Sequence, residues 1–265
     1  MSGFYDQLVT IFGDIKVFKH PLWLAYDPGS YRVRGPECRK VSELLEPGDI
    51  LLRHYDGYLD NMFIPGVFSH AGLYLGPVTE TDRAKIPGTG VASRAFEAGT
   101  CQVVHSTAQG VHLEDVLTFL RCDEVAVVRL PDALSSLREV SVQDPGSLHP
   151  SEQALRERLA RNEPVSRQEA FAVARDLALG GLGTEYDFAF DFKNGHRMSC
   201  TEFVLHCYRS VNSALGVVPH GESFFGGLVR KDVIRPDAYV ASPFRLIHVS
   251  ESLKPKLRHA RLPTL

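Results

Sequence analysis

A cysteine placed where a polar loop gives way to an apolar helix is the feature of this chain best suited to nucleophilic chemistry. Met198-Ser199-Cys200-Thr201-Glu202-Phe203-Val204 follows the polar, glycine-containing run Phe192-Lys193-Asn194-Gly195-His196-Arg197. Phe203, Val204 and Cys207 fall at helical offsets from Cys200, so one face is apolar and the thiol sits at its first turn. Unpaired amide N–H groups there carry partial positive charge, and the expectation is a depressed thiol pKa with rapid alkylation near pH ~6. A thiol nucleophile also needs a base and a third polar group to orient that base, and neither need be close in sequence. His70 opens the otherwise apolar stretch Ser69-His70-Ala71-Gly72-Leu73-Tyr74-Leu75-Gly76 and is the candidate base. His105, between Val104 and Ser106, is the candidate orienting group. If the two stretches are neighbouring strands, their imidazoles share a sheet face. Such a set performs acyl transfer: the imidazole draws the thiol proton, sulfur attacks an amide or ester carbonyl, and the Cys200 amide donates to the oxyanion.

Each of these residues has a plainer reading beside the catalytic one. A strand histidine is commonly a packing residue with one hydrogen bond, and a buried thiol is a small apolar filler. The flanks of Cys200 favour the nucleophile; Cys207 reads as core, and Cys38, Cys101 and Cys122 receive no role. Tyr186 and Glu202 are candidate substrate-binding residues, although the first-turn position of Glu202 equally suits the helix dipole. His112 is a fallback third group whose place ahead of an expected helix suggests a cap or an exposed turn. Asp187 and Asp191 read as loop hydrogen-bonding residues.

Several elements must position this set. The turn Glu46-Pro47-Gly48-Asp49 feeds a short strand through Arg53; strands are expected at 69–76, 102–106, 125–130 and 243–249. Residues 111–116 lead into a short helix. Two helices are expected near 151–162 and 167–179, the second capped by Ser166 with Glu169 three residues on. Leu8, Ile11, Phe12, Ile15 and Phe18 recur at helical spacing, which predicts a docked amphipathic helix, and 27–36 reads as a loop. Residues 77–100 read as an exposed excursion and 131–150 as loop. The pattern is α+β, a small and mostly antiparallel sheet with helices packed against it. The expected organisation is one domain over 1–265, its core at about 40–250, with 1–40 and 77–100 as elaborations.

Pro47-Gly48-Asp49-Ile50, the stretch from Ser69 to Gly76, a polar residue on the following strand, and Ser199 to Val204 together resemble the permuted NlpC-type papain-like superfamily, the YiiX/YebB group above all. The resemblance covers roughly 46–76, 102–130 and 184–209. It implies a circularly permuted papain-like fold with a small sheet or barrel, histidine first and cysteine last. Carried over, Cys200 matches the nucleophile, His70 the base, and His105 stands where bacterial members often have Glu. Relatives of the lecithin–retinol acyltransferase type use a second histidine in a comparable place. Tyr186 resembles a tyrosine that helps bind substrate or the oxyanion.

Bulk properties fit an enzyme of this kind. With 265 residues the chain can bury a substantial core, and a net charge of −3 argues against a general affinity for nucleic acid. The basic group Lys254, Lys256, Arg258 and Arg261 reads as a solvated tail. Five scattered cysteines form no disulfide framework, no secretion signal opens the chain, and no apolar run is long enough to span a bilayer. The expected setting is cytoplasmic, with no cofactor, no metal and no transmembrane segment; the expected substrate is a peptide, another amide or an acyl-lipid. Oligomeric state is not legible. Two other classes compete: a zinc hydrolase built on Cys200, His70 and His105, which lacks the short spacing of dedicated zinc motifs, and a catalytically silent binding module.

Overall fold

Alternation of β-branched and aliphatic residues places six strands side by side, and their order brings the distant histidines together. The computed structural model describes residues 15–19, 22–26, 31–56, 66–87, 96–136, 148–188, 196–224, 229–241 and 243–265. Its strands are β1 Ile15–Lys19, β2 Leu22–Tyr26, β3 Ile50–His54, β4 His70–Pro77, β5 Cys101–Thr107, β6 Gly110–Asp115, β7 Glu124–Arg129, β8 Ala133–Leu134, β9 Val165–Ser166, β10 His220–Phe224, β11 Val229–Val233 and β12 Arg245–Val249. Its α-helices are α1 Gly35–Leu44, α2 Glu80–Arg83, α3 Val116–Phe119, α4 Pro150–Ala160, α5 Arg167–Gly180, α6 Cys200–Tyr208, α7 Asn212–Leu215 and α8 Lys254–His259. The main sheet runs β12-β7-β3-β4-β5-β6 and is antiparallel throughout. The fold is α+β, as the sequence pattern implies.

Both faces of this sheet are covered, which is why β3 and β7 are buried at every position rather than alternating. Ile50, Leu52, Ala71, Leu73, Val104, Leu113, Ala126 and Val128 face a large core with helices α5 and α6. Leu51, Tyr74, Val103, Val125 and Val127 face a smaller cluster roofed by Val41 of α1 and by Val116 and Phe119 of α3. Helix α5 presents Ala170, Ala174 and Ala178, small residues spaced one turn apart, toward the core that Phe203, Val204 and Cys207 of α6 also fill. The turn into β3 needs glycine: Gly48 has φ +95°, its N–H bonds Tyr74 O at 2.8 Å, and its own carbonyl accepts from the Tyr208 hydroxyl at 2.8 Å. That last bond ties the end of α6 to the sheet.

The structure corrects several expectations outside the site. Residues 15–19 form a strand paired with β2, not part of a helix; the β-branched and aromatic content of both runs favours pairing. Leu8, Ile11 and Phe12 lie outside the described residues. Gly35 and Pro36 begin α1 instead of closing a loop, since proline fits the first helical turn. Val78, Ile86 and Phe96 from the expected excursion are core residues, and α2 lies among them. Residues 110–115 are a strand before the short helix; Asp115, not His112, is its cap. Ala133–Leu134 pairs with Val165–Ser166 within the stretch expected as loop. The Ser166–Glu169 capping box forms as expected.

Candidate functional site

The Cys200 thiol reaches the backbone beside His70 where two neighbouring strands part. Pairing between β4 and β5 runs from Pro77↔Cys101 to Leu73↔Val104 and stops there, leaving Ala71 and His70 unregistered on that side. The loop before α6 fills the gap. The Ser106 hydroxyl donates to Met198 O at 2.6 Å, and the backbone N–H groups of Ala71 and Thr201 donate to the Cys200 sulfur. Cys200 therefore lies against the backbone of the residue next to His70. Ser199 caps α6 and Glu202 closes the capping box, accepting the Ser199 N–H at 2.6 Å. The Tyr239 hydroxyl donates to Thr201 O at 2.9 Å, which fixes the first turn from the other side.

The two sequence-nominated histidines touch. His70 Nε2 and His105 Nδ1 are 2.8 Å apart, their rings edge-on with centroids at 5.0 Å. Phe119 forms a floor, its ring edge-on to His105 at 5.1 Å, with the Arg53 guanidinium 3.9 Å from its centroid.

Three charged or titratable neighbours complete the group, and sequence reasoning missed two of them. Glu114 of β6 places Oε2 at 3.3 Å from His105 Nε2 and 3.6 Å from Arg53 Nη1. Arg53 Nη2 reaches His105 Nδ1 at 3.5 Å, and its Nη1 donates to Phe119 O at 3.1 Å. His112 pairs across from His105 in the β5–β6 ladder, with ring centroids at 4.4 Å. Strand alternation offered one signal: Arg53 and Glu114 are charged residues at positions alternating with core leucines, Leu52 and Leu113.

Burial sets the proton balance of this site. It pushes the Cys200 thiol up to about 11; the Ala71 and Thr201 amides and Arg53 pull it down, while Glu202 adds to the rise. Desolvation, then the Arg53 cation and the neighbouring imidazoles, drives His70 well below its ordinary 6.5. His105 falls to about 3, chiefly through burial, against the opposing pull of Glu114. Burial raises the Glu114 carboxyl, but the His105 hydrogen bond and the Arg53 charge outweigh it and hold it below the usual range. The expected depressed thiol is thus corrected. At 3% exposure, the desolvation of sulfur exceeds what the helix terminus returns. Both shifts favour the neutral forms, thiol at Cys200 and imidazole at His70.

The two nominated substrate residues differ in their surroundings. The Glu202 side chain is buried in the cap of α6, which accounts for its place without a ligand. Tyr186 is half-buried beside Phe188, ring centroids 4.8 Å apart. Cys207 is core, as expected, and all five cysteines are free thiols.

One further donor cluster has the chemistry of a cation site. His54 Nε2, Asp56 Oδ1 and Glu124 Oε2 lie within 4.8 Å of one another. The Lys256 ammonium sits among them, at 3.0, 2.8 and 2.7 Å respectively. The Val67 carbonyl can only accept, so His54 Nδ1 carries hydrogen, while Nε2 faces both the ammonium and the Asp56 carboxylate, the latter at 2.9 Å. The ammonium places a positive charge of the chain's own between the two carboxylates. Lys256 is therefore not part of a solvated tail, and α8 anchors through it and the buried Leu257.

Residues 44–144 match the model of a family described as permuted papain-like amidase enzymes, YaeF/YiiX, C92 family. That segment holds His70, His105 and Glu114 and ends before Cys200. The chain is also similar to the solved structure of metalloprotein yiiX from Escherichia coli O157:H7, at 14% identity and a TM-score of 0.45, over 77% of this chain and 97% of that one. No curated protein matches. Over residues 44–144 the family match supports the resemblance to the YiiX-like, permuted papain-like group that was read from the residues. No helix among the described residues is long and apolar enough to cross a membrane.

Proposed function

We propose that this YaeF/YiiX-like, permuted papain-like chain is a cysteine amidase that works through Cys200, His70 and His105 and a thioester intermediate. The observation that carries the reading is the juncture at the β4–β5 split: the Cys200 sulfur accepts from the Ala71 amide while His70, the preceding residue, bonds His105 at 2.8 Å. His70 takes the thiol proton as sulfur adds to the carbonyl carbon, so no charge separates until substrate is in place. The Cys200 N–H, at the first position of α6, is directed toward the developing oxyanion. The amine leaves with the proton from His70, and water then cleaves the thioester. Tyr186 is proposed to contact substrate, with Glu202 supporting the nucleophile helix through its cap. A cytoplasmic setting belongs to the same proposal and rests on five unpaired cysteines. The second histidine also suits acyl transfer to a lipid acceptor on the same centre.

The test compares wild type with Cys200→Ala and His70→Ala on panels of peptide, isopeptide and ester substrates. Mass spectrometry follows labelling by a thiol-directed electrophile. Loss of turnover and of the label in Cys200→Ala, with an unchanged melting temperature, is the expected result. Turnover that survives Cys200→Ala removes the proposal.

A further inference from the structure

We propose that Glu114, acting through His105, selects the His70 tautomer that leaves Nδ1 bare for the Cys200 proton. The inference rests on the cysteine-hydrolase reading and adds a positioning residue to it. Its argument is one of donors and acceptors. An ionised carboxylate only accepts, and the Glu114 Oε2 charge 3.3 Å from His105 Nε2, without an aligned hydrogen bond between the two atoms, favours a hydrogen over a lone pair on that nitrogen. A guanidinium only donates, so Arg53 Nη2, 3.5 Å from His105 Nδ1, requires a lone pair there. The two constraints come from different strands, β6 and β3, and agree. His105 is therefore the Nε2–H tautomer. Its Nδ1 lone pair, 2.8 Å from His70 Nε2, then requires the His70 hydrogen on Nε2. That leaves His70 Nδ1 as the basic nitrogen.

The other groups around His105 do not disturb this order. His112 commits its Nδ1 to Gly110 O at 2.9 Å within its own strand. Tyr55 feels both Arg53 and Glu114, but burial holds its phenol protonated far above neutrality. Phe119 supplies an apolar floor. Arg53, 3.6 Å from Glu114, keeps that carboxyl ionised and hence accepting. When His70 takes the Cys200 proton, the imidazolium's Nε2–H still donates to His105, and the Glu114 charge lies one ring further on. No proton needs to travel beyond His70.

Histidine 15N chemical shifts read the tautomers directly and without any substrate. Wild type is expected to show Nε2–H for both His70 and His105; an Nδ1–H tautomer at His105 overturns the inference even if no variant folds. Glu114→Gln is expected to mix the tautomers and to slow acylation of Cys200 by p-nitrophenyl acetate on the order of 10- to 100-fold. It should also move the acid limb of that rate to lower pH, because a negative charge that favours imidazolium is gone. Equal rates and an unmoved limb in Glu114→Gln refute the role of Glu114 while leaving the nucleophile intact. If wild type and Cys200→Ala are acylated alike, the cysteine-hydrolase reading fails instead, and the tautomer spectra stand apart from that outcome.

Discussion

His70 Nε2 meets His105 Nδ1 at 2.8 Å although no ladder pair joins the two residues. Extending the Leu73↔Val104 register would set Gly72 opposite His105 and His70 two residues further along the same face. The contact is thus diagonal, and it depends on what stands at position 72. A Cβ added there would lie 2.7 Å from the Phe119 ring and 2.8 Å from Val103 Cγ1. Glycine lets Phe119 close under both imidazoles.

Replacing Gly72 by alanine is expected to overpack this point. Neither neighbour is the end of a flexible chain, so the clash should cost about 1–3 kcal/mol and lower the melting temperature. Because Phe119 also packs His105 and Arg53, Cys200 acylation should fall by more than the loss of folded protein accounts for. Gly72→Ala with wild-type stability and rate would show that the approach of Phe119 is not required.

A neutral resting pair has a kinetic signature. With the Cys200 thiol pushed up to about 11 and His70 held well below 6.5, alkylation by iodoacetamide should still be climbing through pH ~9–10. Substrate turnover should hold its acid limb below pH 6.5, since His70 remains an unprotonated base there. A plateau in alkylation near neutrality would instead establish a thiolate–imidazolium pair.

Stability should fall with acid in a window set by the histidines. His105 titrates at about 3 in the folded chain and at about 6.5 when unfolded. Between these values the unfolded state binds a proton that the folded state refuses, so stability drops as pH falls from 6.5. The slope from this one residue is about 1.4 kcal/mol per pH unit. Carboxylates contribute mainly below pH ~5, so unfolding in urea between pH ~5 and 6.5 reads the histidines, where His70, also lowered, adds a slope of the same sign. His105→Asn should flatten that slope; a slope unchanged by the variant would place the proton uptake elsewhere.

How much of this was legible in the sequence depends on the range over which the deciding interactions act. Ser166 with Glu169 announced a capping box because every atom involved lies within four residues. Cys200 was legible for the same reason: polar loop, cap and apolar helix are contiguous. His70 and His105 stood out as polar residues in apolar strands, and their adjacency followed once β4 and β5 were taken as neighbours. The thiol's proton affinity was misjudged because a helix terminus is written in local sequence, while burial by β4 and β5 is not. Glu114 escaped notice and Lys256 was read as tail because each acquires its meaning from a partner on another strand or at the far end of the chain. The strand at 15–19 was masked by helical spacing that its β-branched residues also satisfy.

Lys256 offers the last test, on the stability of the fold rather than on its chemistry. Its ammonium satisfies the His54 nitrogen and the Asp56 and Glu124 carboxylates at once, and Glu124 has no exposure to water. Removing one partner of a buried ion pair strands the other charge, at about 3–5 kcal/mol when both are fully enclosed. The Lys256 side chain is 35% exposed, so solvent reaches the site and a loss of about 1–3 kcal/mol is expected for Lys256→Ala. The vacated tripod of one imidazole and two carboxylates has the donor set of a zinc site. Micromolar Zn²⁺ should therefore raise the melting temperature of Lys256→Ala and leave wild type unmoved, because the resident ammonium blocks the ion. Lys256→Met, one atom shorter and without charge, should lose the same stability and recover less with zinc, since its side chain still fills most of the space. Should wild type and Lys256→Ala melt alike with and without zinc, the ammonium is not the cation on which these three acceptors depend.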